Sequence, residues 1–290
     1  MDYVKCPGNF LELSDNFSNY RKSQAVMLPI PYEKTTSYLK GTGKGPDAII
    51  KASVQIESYD DELGDIFEAG ICTLNPLKID SRPEQMVNKV KKRILELLDD
   101  GKFIAVLGGE HSITSGIVST FKEKFKDISV LQIDAHSDLR EEYQGSRHSH
   151  ACAMKRVLEI CPVVPVGIRS LSSQEAEFAK KSKYRIFWAK DIVGNDKWFG
   201  DAISLLSKNV YITIDLDGFD PSIMPSVGTP EPGGLGYYQV LRFLKKVFKE
   251  RNVVGFDIVE LCPNKLDVSS DVAAARILYK MIGYKFMKKK

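Results

Sequence analysis

The sequence predicts an α/β protein with a parallel sheet covered by helices on both faces, and three observations carry that prediction. Short apolar runs rich in Val, Ile and Phe alternate with stretches of helical period along the chain. The runs are near-continuously apolar, which is how strands buried on both faces read. The residues capable of chemistry follow directly on several of these runs, where open parallel sheets gather their ligands.

Strands are expected at 24–30, 103–107, 128–133, 163–168, 185–189, 210–214 and 253–258, with a weaker one at 69–74. Helices are expected at 46–57, 81–100, 113–124, 151–160, 173–181, 198–208, 237–251 and 269–282. The clearest is 81–100. Ser81 and Glu84 have the spacing of a capping box, and Pro83 falls in the permissive first turn. Val87, Val90, Ile94, Leu97 and Leu98 share one face, and Gly101 supplies a left-handed stop. Strand–helix alternation of this kind implies right-handed crossovers. No repeat, low-complexity tract or Ser/Gly linker interrupts it, so residues 1–290 are expected to form a single domain.

Hydrophobic residues make up 43% of the 290 and charged residues 27%, an ordinary globular balance with material for a sizeable core. The net charge of +3 and a pI near 8.4 are too small a basic excess for a nucleic-acid surface. The one basic cluster, Lys285 and Lys288 to Lys290, is expected to be a solvated, frayed terminus. Cys6, Cys72, Cys152, Cys161 and Cys262 form no C-x-x-C pair, which argues against a disulfide framework or a cysteine-built zinc site. Neither a secretory leader nor an apolar stretch approaching ~18 residues is visible, so a cytoplasmic location without a membrane partner is expected. Gly41-Thr42-Gly43-Lys44-Gly45 lacks the spacing of a phosphate loop and reads as a turn before a helix at Pro46.

Four strand ends carry the chemistry. Run 103–107 leads into Gly108-Gly109-Glu110-His111-Ser112, and run 128–133 into Asp134-Ala135-His136-Ser137-Asp138. Run 210–214 leads into Asp215-Leu216-Asp217, and run 253–258 into Val259-Glu260. Alternate residues of an extended segment point to one side. Asp134, His136 and Asp138 can therefore face one point, with Asp215, Asp217 and His111 converging on it. Four carboxylates crowded together repel, and some must protonate unless cations intervene. Two divalent ions about 3.5–4 Å apart, bridged by carboxylates, resolve the conflict. Oxygen-rich ligation with some imidazole and no cysteine favours manganese over zinc.

These blocks resemble the signatures of the ureohydrolase (arginase/agmatinase) family, most nearly a bacterial agmatinase. The third block continues as Gly218-Phe219-Asp220-Pro221 and then Gly228-Thr229-Pro230-Glu231-Pro232-Gly233-Gly234. The likeness extends to Pro31 through Tyr38, Gly45 through Ile49 and Gly255 through Glu260, and so covers nearly the whole chain. One departure, Pro225-Ser226 where many relatives have Pro-Gly, lies within the family's pattern. The resemblance implies a three-layer α/β/α fold with an eight-stranded parallel sheet. It also implies two Mn²⁺ held by His111, Asp134, His136, Asp138, Asp215 and Asp217, and a homo-oligomer, trimeric or hexameric.

The implied reaction is hydrolysis of agmatine to putrescine and urea. Aminopropylagmatine, arginine or a guanidino acid are the alternative substrates. Bound divalent ions lower the pKa of water toward ~7 and stabilise the tetrahedral centre. By the same resemblance Asp138 accepts a hydrogen bond from the nucleophile and Glu260 accepts those of the guanidinium. A histidine of 146–151 shuttles the proton, and of the two there His150 is preferred to His148. The arginase pattern of polar residues after the second block is missing. Instead Leu139, Arg140, Glu141, Glu142 and Tyr143 follow. Glu141 and Glu142 are expected to make an acidic mouth for a substrate ending in an ammonium, with Arg140 turned away. A zinc amidohydrolase of the related deacetylase fold needs only about three protein ligands to one metal. Six ligands argue against it, and intact ligands with modest charge argue against a scaffold or nucleic-acid binder.

Overall fold

A computed structural model of the chain describes residues 1–182 and 184–287. Eight strands form one sheet: β1 (Ala25–Ile30), β2 (Ile71–Thr73), β3 (Phe103–Gly108), β4 (Ile128–Ile133), β5 (Val163–Ile168), β6 (Phe187–Trp188), β7 (Asn209–Asp215) and β8 (Asn252–Val259). Their order is β2-β1-β3-β8-β7-β4-β5-β6, and every pairing is parallel. The eight helices expected from sequence correspond to α1 (Gly45–Ser53), α2 (Pro83–Asp99), α3 (Thr114–Lys124), α4 (Ala153–Leu158), α5 (Ser173–Lys181), α6 (Phe199–Ser204), α7 (Tyr237–Glu250) and α8 (Ser269–Phe286).

The period-2 geometry of each strand feeds two cores. In β1, Ala25 and Met27 enter the core beneath α1, α7 and α8, whereas Val26, Leu28 and Ile30 enter the core beneath α2, α3 and α4. In β3, Phe103, Ala105 and Leu107 go one way and Ile104 and Val106 the other. The central strands are therefore largely apolar on both faces, with a few buried polar residues such as Thr213 and Asp257, and the sheet lies between two helical layers.

Local departures have local causes. The expected Ser81–Glu84 capping box does not form. Arg82 stands at the N-cap with no side-chain cap, and the Glu84 carboxylate instead accepts a hydrogen bond from Ser146 Oγ at 3.1 Å. The capping box that does form is Ser172–Glu175 at the start of α5. Run 69–74 shortens to β2 because 66–69 winds into a 3₁₀ turn. A two-stranded hairpin, Tyr59–Asp60 with Gly64–Asp65, adds to the expected elements. The Gly41 to Gly45 turn wraps a carboxylate of its own: Gly41 and Gly43 N–H donate to Glu33 at 2.7 and 3.0 Å. Lys285 is anchored rather than frayed, donating to the Val253 carbonyl at 2.6 Å, while Lys288 to Lys290 lie outside the described residues. Among the described residues no helix is long and apolar enough to cross a membrane.

Candidate metal centre and guanidino-substrate cleft

Strands β3, β8, β7 and β4 are consecutive in the sheet, and their carboxyl ends bring the predicted residues together. His111 opens a short 3₁₀ turn after β3, Asp215 ends β7, Asp217 lies in the next turn, and Asp134 follows β4 directly. With His136, Asp138, His150 and Glu260 they form one site, and all of them but the fully buried Asp134 line its cleft of about 250 Å³. Within it stand two groups of potential metal-holding atoms, His111–Asp134–Asp215 and Asp134–His136–Asp217, with Asp134 common to both.

The donor set fits a cation. His111 Nδ1 is buried without a hydrogen-bond partner among the described residues. It lies 3.0 Å from Asp138 Oδ2, 3.3 Å from Asp134 Oδ2 and 3.5 Å from Asp215 Oδ2. Its other nitrogen, Nε2, lies 2.9 Å from Thr213 Oγ1. The Thr213 hydroxyl gives its one proton to Asp257 Oδ1 at 2.5 Å, so it must accept from Nε2–H. In the neutral ring the lone pair is thereby left on Nδ1, facing the carboxylates. Thr114 and Tyr211 hydroxyls hold the other oxygen of Asp257 at 3.0 and 2.9 Å. On the opposite side His136 Nδ1 is 2.9 Å from Asp217 Oδ2.

The electrostatics of these buried carboxylates and imidazoles show the conflict that cations relieve. Burial, then the charges of Asp217 and Asp138, push the Asp134 carboxyl up to about 7. Burial and then Asp217 raise Asp215 well above the carboxylate range. Burial works against a proton on His136, but Asp217 and Asp134 outweigh it and lift the ring to about 10. Burial likewise opposes charge on His111, and Asp134 and Asp138 override it. Asp217 is lowered: burial is outweighed by His136 and by the Ala135 N–H. Crowded negative charge of this kind is what divalent ions can balance.

Two of the site's residues carry left-handed backbone. Asp138 has φ +52° and Glu260 φ +66°, each a left-handed conformation costing about 1–2 kcal/mol outside glycine. Glu260 Oε1 accepts the His111 N–H at 2.7 Å, which leaves Oε2 for a ligand. Burial, partly offset by that N–H and reinforced by Glu110, raises the Glu260 carboxyl well above its ordinary range. Gly109 makes the turn possible, since a Cβ there would stand 2.1 Å from the Tyr32 carbonyl oxygen. Gly109→Ala should cost at least ~1–3 kcal/mol, the usual scale of overpacking. Urea denaturation checks this, and an unchanged midpoint would show that the turn yields.

His150 reaches the cleft, and His148 is not among its lining residues. His150 Nδ1 is 3.2 Å from Thr35 Oγ1 and its Nε2 is 3.3 Å from Ser37 Oγ. Thr35 is itself fixed by Glu110, a fully buried carboxylate that accepts the Lys34 and Thr35 N–H groups at 2.6 Å and the Thr35 hydroxyl at 2.7 Å. His148 Nδ1 is buried away without a partner among the described residues.

The mouth differs from expectation. Glu141 and Glu142 are absent from the cleft lining, and Arg140 is part of it. Glu141 is drawn into ion pairs with Arg147 at 2.5 Å, Arg156 at 3.0 Å and Lys155 at 3.7 Å, which outbid an open mouth for its charge. Arg140 does meet a carboxylate as expected, Glu175 at 4.0 Å, but it does so inside the cleft, over the ring of Tyr143.

Sequence reasoning missed several supporting residues. Arg169, after β5, donates to the carbonyls of Asp217 at 2.6 Å and Glu231 at 2.8 Å, among others, and ties the Asp217 turn to the 231–232 loop. Nothing local marks it. Thr213 and Asp257 did leave a signal, since a polar group in the middle of a buried strand needs a partner.

A sequence profile of the arginase family matches residues 23–283. The chain is 42% identical to an N(1)-aminopropylagmatine ureohydrolase of Synechocystis sp., over 97% of this chain and 95% of that protein. It is 37% identical to an agmatinase of Pyrococcus horikoshii, over 89% and 90%. The crystal structure of an agmatine ureohydrolase of Thermoplasma volcanium superposes with a TM-score of 0.88 at 33% identity, over 97% and 95%. Profile, relatives and fold agree with the convergent strand ends, and the chain belongs to the arginase family as a metal-dependent ureohydrolase of its agmatinase branch.

Proposed function

We propose that the chain removes urea from the guanidinium end of a polyamine, with N1-aminopropylagmatine as its substrate and spermidine as the product, ahead of agmatine. The observation that carries the chemistry is the pair of ligand groups sharing Asp134. In this reading His111, Asp134, His136, Asp138, Asp215 and Asp217 hold two Mn²⁺. Those ions supply an acidified water and electrostatic stabilisation of the tetrahedral centre. Glu260 orients the guanidinium through its free oxygen, a planar pairing that carboxylates make well. Asp138 accepts a hydrogen bond from the attacking water. His150, steadied by Thr35 and Ser37, delivers the proton to the departing amine. The relatives of about 40% identity support the longer substrate, whereas agmatine was the shorter expectation from sequence. Homo-oligomeric assembly, as trimer or hexamer, is part of the same proposal.

Arg140 favours a second reading, a guanidino acid such as arginine, because a guanidinium in the cleft can pair with a carboxylate. Its pairing with Glu175 weighs against that. Urea release from aminopropylagmatine, agmatine, arginine and guanidinobutyrate, with Mn²⁺ added to metal-stripped protein, decides among them. The expected kcat/KM for aminopropylagmatine exceeds that for agmatine about tenfold or more, and that for arginine at least ~10²-fold, or about 2.7 kcal/mol. Agmatine in front would return the substrate to the shorter amine. Arginine in front would overturn the polyamine reading.

A further inference from the structure

Asp138 keeps its left-handed backbone because the residues on either side of it hang from one buried carboxylate. Ser137 donates its hydroxyl to Glu175 Oε1 at 2.7 Å, and the Leu139 N–H donates to the same oxygen at 2.9 Å. Glu175 Oε2 is itself fixed by the Ser172 N–H and hydroxyl, both at 2.7 Å. The Asp138 carbonyl accepts the Lys155 N–H at 3.0 Å. With the loop so tied, Asp138 Oδ2 comes to 3.0 Å from His111 Nδ1. Glu175 is only 5% exposed. Burial works to raise its pKa, but the donors from Ser172, Ser137 and Leu139 outweigh it and keep the carboxyl below its ordinary range.

We propose that Glu175 is a positioning residue for the metal centre, holding the Ser137–Leu139 loop so that the Asp138 carboxylate meets His111. Glu175 also lines the cleft beside Arg140, but in this role it acts on the metal centre rather than on substrate. Its effect passes through Asp138, and the proposal therefore rests on Asp138 being a ligand. Glutamine is the informative replacement. Each carboxylate oxygen accepts one backbone N–H, from Leu139 or from Ser172, so the amide NH₂ of Gln faces an N–H in either orientation. One anchor of the clamp must open while the side chain's volume is kept.

The test titrates Mn²⁺ into metal-stripped Glu175→Gln, Ser137→Ala and Asp138→Asn proteins, by calorimetry and by electron paramagnetic resonance. Circular dichroism and the melting temperature monitor the fold. Glu175→Gln should bind one Mn²⁺ normally and the second ~10–100-fold more weakly, the scale for residues behind a ligand. Its coupled two-manganese signal should disappear at limiting metal, and kcat should recover at excess Mn²⁺ with KM unchanged. Ser137→Ala, which removes only one anchor and leaves the α5 capping box intact, should show a smaller loss in the same direction. If Glu175→Gln melts earlier yet binds both ions as the parent does, Glu175 is a helix cap only and the proposal is overturned. Should Glu175→Gln fail to fold, unaltered Mn²⁺ binding by Ser137→Ala overturns it. Asp138→Asn separates the two readings. If it keeps both ions, the ligand assignment falls and the clamp with it. If it loses one while Glu175→Gln binds normally, only the clamp falls.

Discussion

Asp134→Asn should empty both metal positions at once and take most of the turnover with it. Asp134 is the one residue common to the two ligand groups, so replacing its charge weakens both ions together. Its two oxygens are also committed on the protein side. Oδ1 accepts the His136 N–H at 2.6 Å and Oδ2 accepts the Gln132 amide at 2.8 Å. An asparagine turns its NH₂ toward one of these donors, so the loss of charge is compounded by a local clash of donors. Changes to residues behind a ligand cost 10–100-fold in metal affinity, and loss of a shared ligand should exceed ~100-fold. Asp217→Asn touches one group only and should retain a single weakly held ion. Metal content after dialysis, measured beside urea release, checks both variants. Two ions per chain and near-parental turnover in Asp134→Asn would remove the basis of the assignment.

His150→Ala should lower kcat by about 10²-fold or more, the contribution typical of general acid–base catalysis, while metal content stays at two per chain. The side chain lines the cleft, and its backbone remains held because His150 N–H donates to Thr35 Oγ1 at 2.9 Å. The substitution therefore subtracts the imidazole without releasing the loop. His148→Ala should change kcat far less, since burial lowers that ring's pKa and turns it from the cleft. Single-turnover rates across neutral pH distinguish the two. A larger loss at His148 than at His150 would transfer the proton step to the other histidine.

The centre of the molecule was legible because its chemistry is written at strand ends. A buried run followed by D-x-H-x-D has few other uses, and the structure brings those residues, at the end of β4, against Asp215 and Asp217 at the end of the neighbouring β7. The periphery was less legible because it depends on competition between surface charges. Ser81 and Glu84 have capping-box spacing, yet Glu84 finds Ser146 across the chain. Glu141 is one residue from Arg140 in sequence, yet Arg147 and Arg156 hold it outside while Arg140 lines the cleft. Glu175 ends a Ser-x-x-Glu pattern that sequence reasoning passed over, and its bonds to Ser137 and Leu139 span more than thirty residues and leave no local trace. Arg169 is the limiting case, since the carbonyls it gathers come together only when β5 and β7 are in place.

The sheet order carries one more consequence. β8 is the last strand in sequence, yet it lies between β3 and β7 at the middle of the sheet. During synthesis a nascent chain of some 250 residues has made every other strand but has a gap where its central partner belongs. β3 cannot join β7 across that gap, and His111 cannot approach Asp215. Domains built from such non-local pairings fold late and slowly. Completion of the His111–Asp134–Asp215 group consequently waits for the finished polypeptide, whereas Asp134, His136 and Asp217 stand at the ends of β4 and β7, which pair without β8.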